Sequence, residues 1–139
     1  RDETQASIAR IKARWAEIGY SWWSLIELQT GQIIGAGAVQ HLGHDRNNPL
    51  ELGWRLRPDK WHMGFASEVA TRMANFAFDD LRAQLLCAIC HPDNVASARV
   101  MERLGMRYRS METWHDMKTK VYEITGDEWW LRARRQAVA

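Results

Sequence analysis

The sequence is poor in the residues that staple or interrupt a chain: of 139 residues only two are Cys and three are Pro. Two cysteines cannot build the disulfide framework on which small secreted domains rely, and free thiols fit a reducing, cytoplasmic setting. No apolar run approaches the roughly 18 residues that a membrane-spanning helix needs, so no membrane partner is expected. A charge excess is lacking too, with 19 Lys and Arg against 17 Asp and Glu. A dedicated nucleic-acid binder carries a clustered basic surplus. The one short basic run, Arg132, Arg134 and Arg135, reads as a solvated helix end complementing its own dipole. What the chain does have is a 46% hydrophobic share and eight Trp, enough for the core of one domain over residues 1–139. Large flat side chains in that number must be buried or lined along a cleft. The chain opens on Arg1 and not on Met, so part of the native N-terminus is expected to precede it.

Hydrophobic periodicity divides the chain into elements of mixed type. Asp2 to Ile18 has helical spacing, with Ile8, Ile11, Trp15 and Ile18 on one face and Gly19 as the stop. Trp22–Leu28 and Ile33–Gln40 read as a β-hairpin around a turn at Gln29–Gln32. Gly35 and Gly37 inside the second strand suggest close backbone packing or a bulge, since no helix with a third glycine follows. Leu50–Leu56 is the next strand, and a long amphipathic helix follows from Phe65 to Leu81, its stripe being Phe65, Val69, Met73, Phe76 and Ala77. A buried strand at Leu85–Cys90 precedes a short helix from Val95 to Leu104 that stops at Gly105. Strands near Arg107–Trp114 and Lys118–Ile124 flank a turn at His115-Asp116. Thr125 to Glu128 forms a capping box that opens a last helix. The order is α/β (α+β), layered on one sheet.

Two clusters that imitate chemistry have plainer explanations. Cys87 and Cys90 have CxxC spacing, but on a strand positions three apart face opposite ways, so they neither pair nor share a metal. His41, His44 and Asp45 lie in a polar loop with no helix to align them and no further ligands nearby, so no metal is expected.

The informative stretch runs from Glu51 to Glu68: a strand, a turn, and a helix start containing Gly64 and Ala66. A helix N-terminus presents unpaired N–H donors and positive dipole, hence an anion site. A glycine there removes the Cβ that would hold a phosphate off the backbone. By spacing alone, an ordinary strand-to-helix turn is the preferred reading of the segment.

Trp61-His62-Met63-Gly64-Phe65-Ala66, followed about 30 residues later by Asn94-Val95-Ala96-Ser97 and by Leu104-Gly105-Met106, carries a resemblance. The chain resembles the GNAT superfamily of acetyl-CoA-dependent N-acetyltransferases from roughly Trp22 to Trp130, and within it the branch of bacterial ribosomal-protein N-terminal acetyltransferases. Trp61 stands where the wider family has Arg or Gln, and His62 where the branch often has Gly. The resemblance implies the GNAT fold, a mixed, mostly antiparallel central sheet flanked by helices, here expected to lack its N-terminal strand. It implies acetyl-CoA as co-substrate and no metal. Trp61 and His62 lead into a loop whose amides, from Met63 through Gly64, Phe65 and Ala66 to Ser67, would hold the pyrophosphate. Gly53, Trp54, Arg55 and Leu56 would pair with the pantetheine arm, and an amide at a bulge there would polarise the thioester carbonyl. Asn94 would bond the cofactor arm, cap its helix, or do both. Arg99 would reach the adenosine or its phosphates.

Direct attack of an amine on a thioester needs a base, because an amine of pKa about 8 to 10 is largely protonated at neutral pH. Glu51 is the first candidate, against a plain role as a solvent-facing strand residue; Asp116 and His115 are the rivals. Ser97 is preferred to Tyr108 or Tyr122 as proton donor to the leaving thiolate, though it could equally be an inert helix residue. Trp22, Trp23 and Trp114 are candidate walls of an acceptor cleft, with a core role expected for at least one of the neighbouring pair. The acceptor partner is an amine, either a protein N-terminus or a small molecule such as a polyamine, amino acid or aminoglycoside, and a homodimer is left open. A CoA-binding module without turnover is the alternative of another class.

Overall fold

The computed structural model describes residues 5, 6, 8–10, 12, 13 and 22–138. The helix expected over Asp2–Ile18 is helical at each of those seven described positions, and Ile11, Trp15, Ile18 and Gly19 lie outside the described residues. Six strands follow: β1 (Trp22–Ile26), β2 (Ile33–His41), β3 (Leu50–Leu56), β4 (Leu85–Cys90), β5 (Arg107–Trp114) and β6 (Met117–Thr125). Three helices intervene or follow: α1 (Phe65–Asn75), α2 (Val95–Arg103) and α3 (Gly126–Val138).

The strands form one sheet in the order β1-β2-β3-β4-β6-β5. Neighbours run antiparallel except β3 and β4, the single parallel pair, which α1 connects. Strand alternation sends Leu50 and Leu52 of β3, Leu86, Ala88 and Cys90 of β4, and Tyr122 and Ile124 of β6 into a common core. Ala70, Met73, Ala74 and Ala77 from the α1 segment, Val100 and Met101 from α2 and Trp129 from α3 complete it. The small residues let α1 lie close on the sheet. At Gly37 of β2 an added Cβ would collide with the Met73 side chain, which accounts for that glycine as close packing and not as a loop signal.

The structure corrects the expected continuous helix from Phe65 to Leu81. The α-helical turns end at Asn75, and a π-helical turn carries Phe76–Asp80. That wider turn brings Ala77 and Phe78 into the core together, where Phe78 stacks on Trp129 with ring centroids 5.7 Å apart. The Trp129 indole donates to Asn75 Oδ1 at 3.1 Å, locking α3 onto the end of α1. The capping box at α3 forms as expected: Glu128 N–H donates to Thr125 Oγ1 at 3.1 Å and Thr125 N–H to Glu128 Oε1 at 3.2 Å. Cys87 and Cys90 are free and buried, and burial pushes the Cys87 thiol up to about 11.

Candidate active site

The site arises where β3 loses one of its two neighbours. Against β2 it is paired along its whole length, from Leu50 opposite His41 to Leu56 opposite Gly35. Against β4 only Leu50, Leu52 and Glu51 between them are paired, with Leu86 to Ala88. From Gly53 onward the two parallel strands diverge, and the β4-facing edge of β3 carries no strand partner among the described residues. The bulge expected in this stretch is absent, because the β2–β3 register runs without a shift. Divergence of the parallel pair, and not an inserted residue, opens the edge.

Both helix starts that follow the parallel strands face this opening. A cavity of about 660 Å³ is lined by Trp54, Arg55 and Leu56 of β3, by residues of the loop and first turn between Lys60 and Ser67, and by Asn94 and one face of α2 as far as Arg103. Every residue expected to hold the cofactor lines it except Met63, whose side chain is exposed, and Gly53, which lines the smaller cavity described below. Gly64 takes the left-handed φ of +82°, and a Cβ added there would meet nothing within 4 Å, so the glycine leaves open space at the start of α1. The Trp61 indole donates to Leu56 O at 3.0 Å, so this residue ties the loop to the end of β3. Asn94 caps α2, its Oδ1 accepting from Ser97 N–H at 3.1 Å. Ser97 is half-buried at the same helix start.

The lining is cationic. Arg55, Lys60, Arg99 and Arg103 contribute to it, and among the described residues no Asp or Glu does. Lys60 is held by the buried Glu27, Nζ to carboxylate 3.2 Å, and Arg103 donates to Ser67 Oγ at 3.3 Å. With two helix N-termini added, the field favours a polyanion.

A second cavity of about 190 Å³ adjoins the first and shares Trp54, Arg55 and Ser97 with it. Glu51 lies in its wall with only 4% of its surface exposed, so it is not the solvent-facing residue that its bland reading supposed. Alternation that aims Leu50 and Leu52 at the core turns Glu51 to the other face, where its cross-strand partners are the neutral Gln40 and Cys87. Burial pushes its pKa up to about 7, against the opposing pull of Gln40 Nε2, which donates to Oε1 at 3.2 Å.

Other candidates stand apart. His115 and Asp116 form the β5–β6 hairpin turn, with φ of +54° and +62°, and both are exposed and line neither cavity. Tyr108 and Tyr122 pack edge to face, 5.6 Å between centroids, also outside both cavities. Of the tryptophans, Trp22 walls the small cavity, Trp23 meets Phe76 edge-on, and Trp114 donates to Glu112 at 3.1 Å. Gln40 and Arg103 went unnoticed in the sequence: β2–β3 register would have found the first, and helical spacing from Arg99 the second.

Comparison with known proteins bears on this arrangement. The family described as acetyltransferase (GNAT) domain matches residues 1–107. The uncharacterized N-acetyltransferase YnaD of Bacillus subtilis is 32% identical over 80 residues, which are 58% of this chain and 43% of that protein. Two solved structures share the fold. The ribosomal-protein-S5-alanine acetyltransferase of Vibrio fischeri superposes with a TM-score of 0.70 at 14% identity, covering 84% of this chain and 68% of that one. Mutant forms of the spermidine/spermine N-acetyltransferase of Vibrio cholerae give 0.72 at 13%, covering 88% and 73%. This chain therefore belongs to the GNAT acetyltransferase family. It spans about half the length of the curated relatives it matches, from 43% to 58%.

Proposed function

We propose that the protein transfers an acetyl group from acetyl-CoA to a primary amine, with Glu51 as general base. One observation carries this: a buried carboxylate sits in a small cavity that opens, at Trp54, Arg55 and Ser97, onto a larger cationic one. The residues present fit acetyl-CoA. Two helix N-termini and four basic residues suit its phosphates, the absent Cβ of Gly64 leaves room against the backbone, and the open edge of β3 offers peptide groups to an extended arm.

When bound, acetyl-CoA supplies an acetyl group activated as a thioester. Glu51 takes the proton that the acceptor nitrogen gives up on acylation, directly or through water. A pKa of about 7 leaves it partly ionised at neutral pH, matched to taking up a proton and then releasing it. Ser97, at the junction of the cavities, is the donor: its hydroxyl would hydrogen-bond the departing sulfur and relay to it a proton drawn from solvent, so that no alkoxide is left. Neither buried cysteine need act as a nucleophile, and free buried thiols support a reducing, cytoplasmic setting.

The acceptor we favour is an α-amine at a protein N-terminus. Among the described residues Glu51 is the only carboxylate lining either cavity, whereas a polyamine brings a second ammonium that needs a second anion. Release of CoA thiol from acetyl-CoA, measured with a panel of peptides, polyamines, amino acids and aminoglycosides, tests the reading. Turnover confined to polyamines would overturn the acceptor assignment. CoA binding with no turnover on any amine would leave a binding module in place of an enzyme.

A further inference from the structure

Gln40 has a second half that its bond to Glu51 leaves unused. It stands directly opposite Glu51 in the β2–β3 register and lines the same small cavity. An ionised carboxylate only accepts hydrogen bonds, so the amide nitrogen must face Glu51, and Nε2 does so at 3.2 Å. The oxygen is thereby committed to the other side. Gln40 Oε1 is buried and has no hydrogen-bond partner among the described residues, although a buried amide oxygen without one typically costs about 1–3 kcal/mol. An acceptor left open beside a base, in a cavity walled by Trp22, Leu52, Gly53 and Ile89, fits a ligand that brings its own N–H.

Building on the N-acetyltransferase reading, we infer that Gln40 is a docking residue for the acceptor amine, one N–H of which donates to Oε1 while another faces Glu51. Two acceptors at fixed separation orient the nitrogen lone pair away from both, toward the junction with the larger cavity. The same amide therefore serves twice: Nε2 holds the base in its ionised form and Oε1 positions the nucleophile. Secondary amines, with one N–H when neutral, lose one of the two contacts.

The test measures binding and turnover separately. Propylamine and alanine tripeptide amide are titrated calorimetrically into the CoA-saturated protein, wild type and Gln40→Met, and steady-state constants are taken for both substrates. The expected result is an amine Kd and KM raised about tenfold in Gln40→Met, with KM for acetyl-CoA unchanged. Gln40→Glu keeps an oxygen in place, so amine affinity stays within about threefold while the added charge moves the acidic limb of the pH profile upward. Unchanged amine binding in Gln40→Met, a parallel rise of both KM values, or no binding of either amine by the wild type would each overturn the inference. Amine binding that responds to Gln40→Met without any wild-type turnover would support the docking site and sink the catalytic reading alone.

Discussion

The two halves of β3 make opposite uses of one strand. In Leu50–Leu52 both edges are paired, the leucines are buried, and Glu51 between them is desolvated with no cation opposite. In Gly53–Leu56 one edge is unpaired, Arg55 is exposed, and the backbone borders the large cavity. The paired half tunes a side chain, since burial is what raises the Glu51 carboxyl. The unpaired half presents the main chain, which no charge count detects. A site that needs a tuned base next to an anion cradle obtains both from the end of a parallel pairing.

The sharpest way to break this contrast is Glu51→Gln. With thiol release as the readout, kcat/KM at pH 8 should fall by about 10²–10³, the usual share of a general base. KM for acetyl-CoA, set by the other half, should hold. The wild-type profile should rise with pH through an inflection near 7, and that inflection should vanish in the variant.

Stability should move the other way. The folded pKa of Glu51, about 7, lies above its ordinary value of 4.5, so the folded state binds the proton more tightly than the unfolded chain does. The group costs nothing below about pH 4.5, costs progressively more as pH rises toward 7, and costs a constant amount above that. Glu51→Gln should therefore stabilise the protein by up to about 3 kcal/mol at pH 8 and by almost nothing at pH 4, as read from paired thermal melts. Equal melting temperatures at pH 8 would mean that the paired half does not desolvate its carboxylate.

Gly64→Val probes the anion cradle instead. A branched side chain at φ +82° is strained and fills the open space at the start of α1. KM for acetyl-CoA should rise about tenfold with kcat at saturation little changed, an effect of about 1.4 kcal/mol on binding. Asp116→Asn should change kcat/KM less than about twofold, because an exposed turn outside both cavities touches neither function. A hundredfold loss there would move the base to the β5–β6 turn.

Much of this was legible in the sequence because it rests on local signals. The alternation at Leu50-Glu51-Leu52, the capping box at Thr125 and Glu128, and the glycine before α1 each declare themselves within a few residues. The burial of Glu51 was not legible: alternation shows that it faces away from the leucines, not that the opposite face is covered as well. Gln40 was missed because it lies 11 residues away and joins Glu51 only through strand register. The π-helical turn was not legible either, since the contact it accompanies, Phe78 against Trp129, joins residues 51 apart in the chain. The bulge implied by the family resemblance has no counterpart in the strand register, and the opening comes instead from two divergent strands acting together.

The position of the single parallel pairing has a consequence for how the molecule assembles. It divides the sheet into two wholly antiparallel triplets, β1-β2-β3 and β4-β6-β5. Each contains a hairpin whose strands are near neighbours in the chain, so closure is quick. The seam between them joins Leu50 to Leu86 across the whole of α1 and is stitched by three residue pairs. Such long-range pairing follows the hairpins in folding. Both cavities lie along this seam, so a ligand spanning them clamps the two triplets together, and occupancy becomes a determinant of how long the chain stays folded.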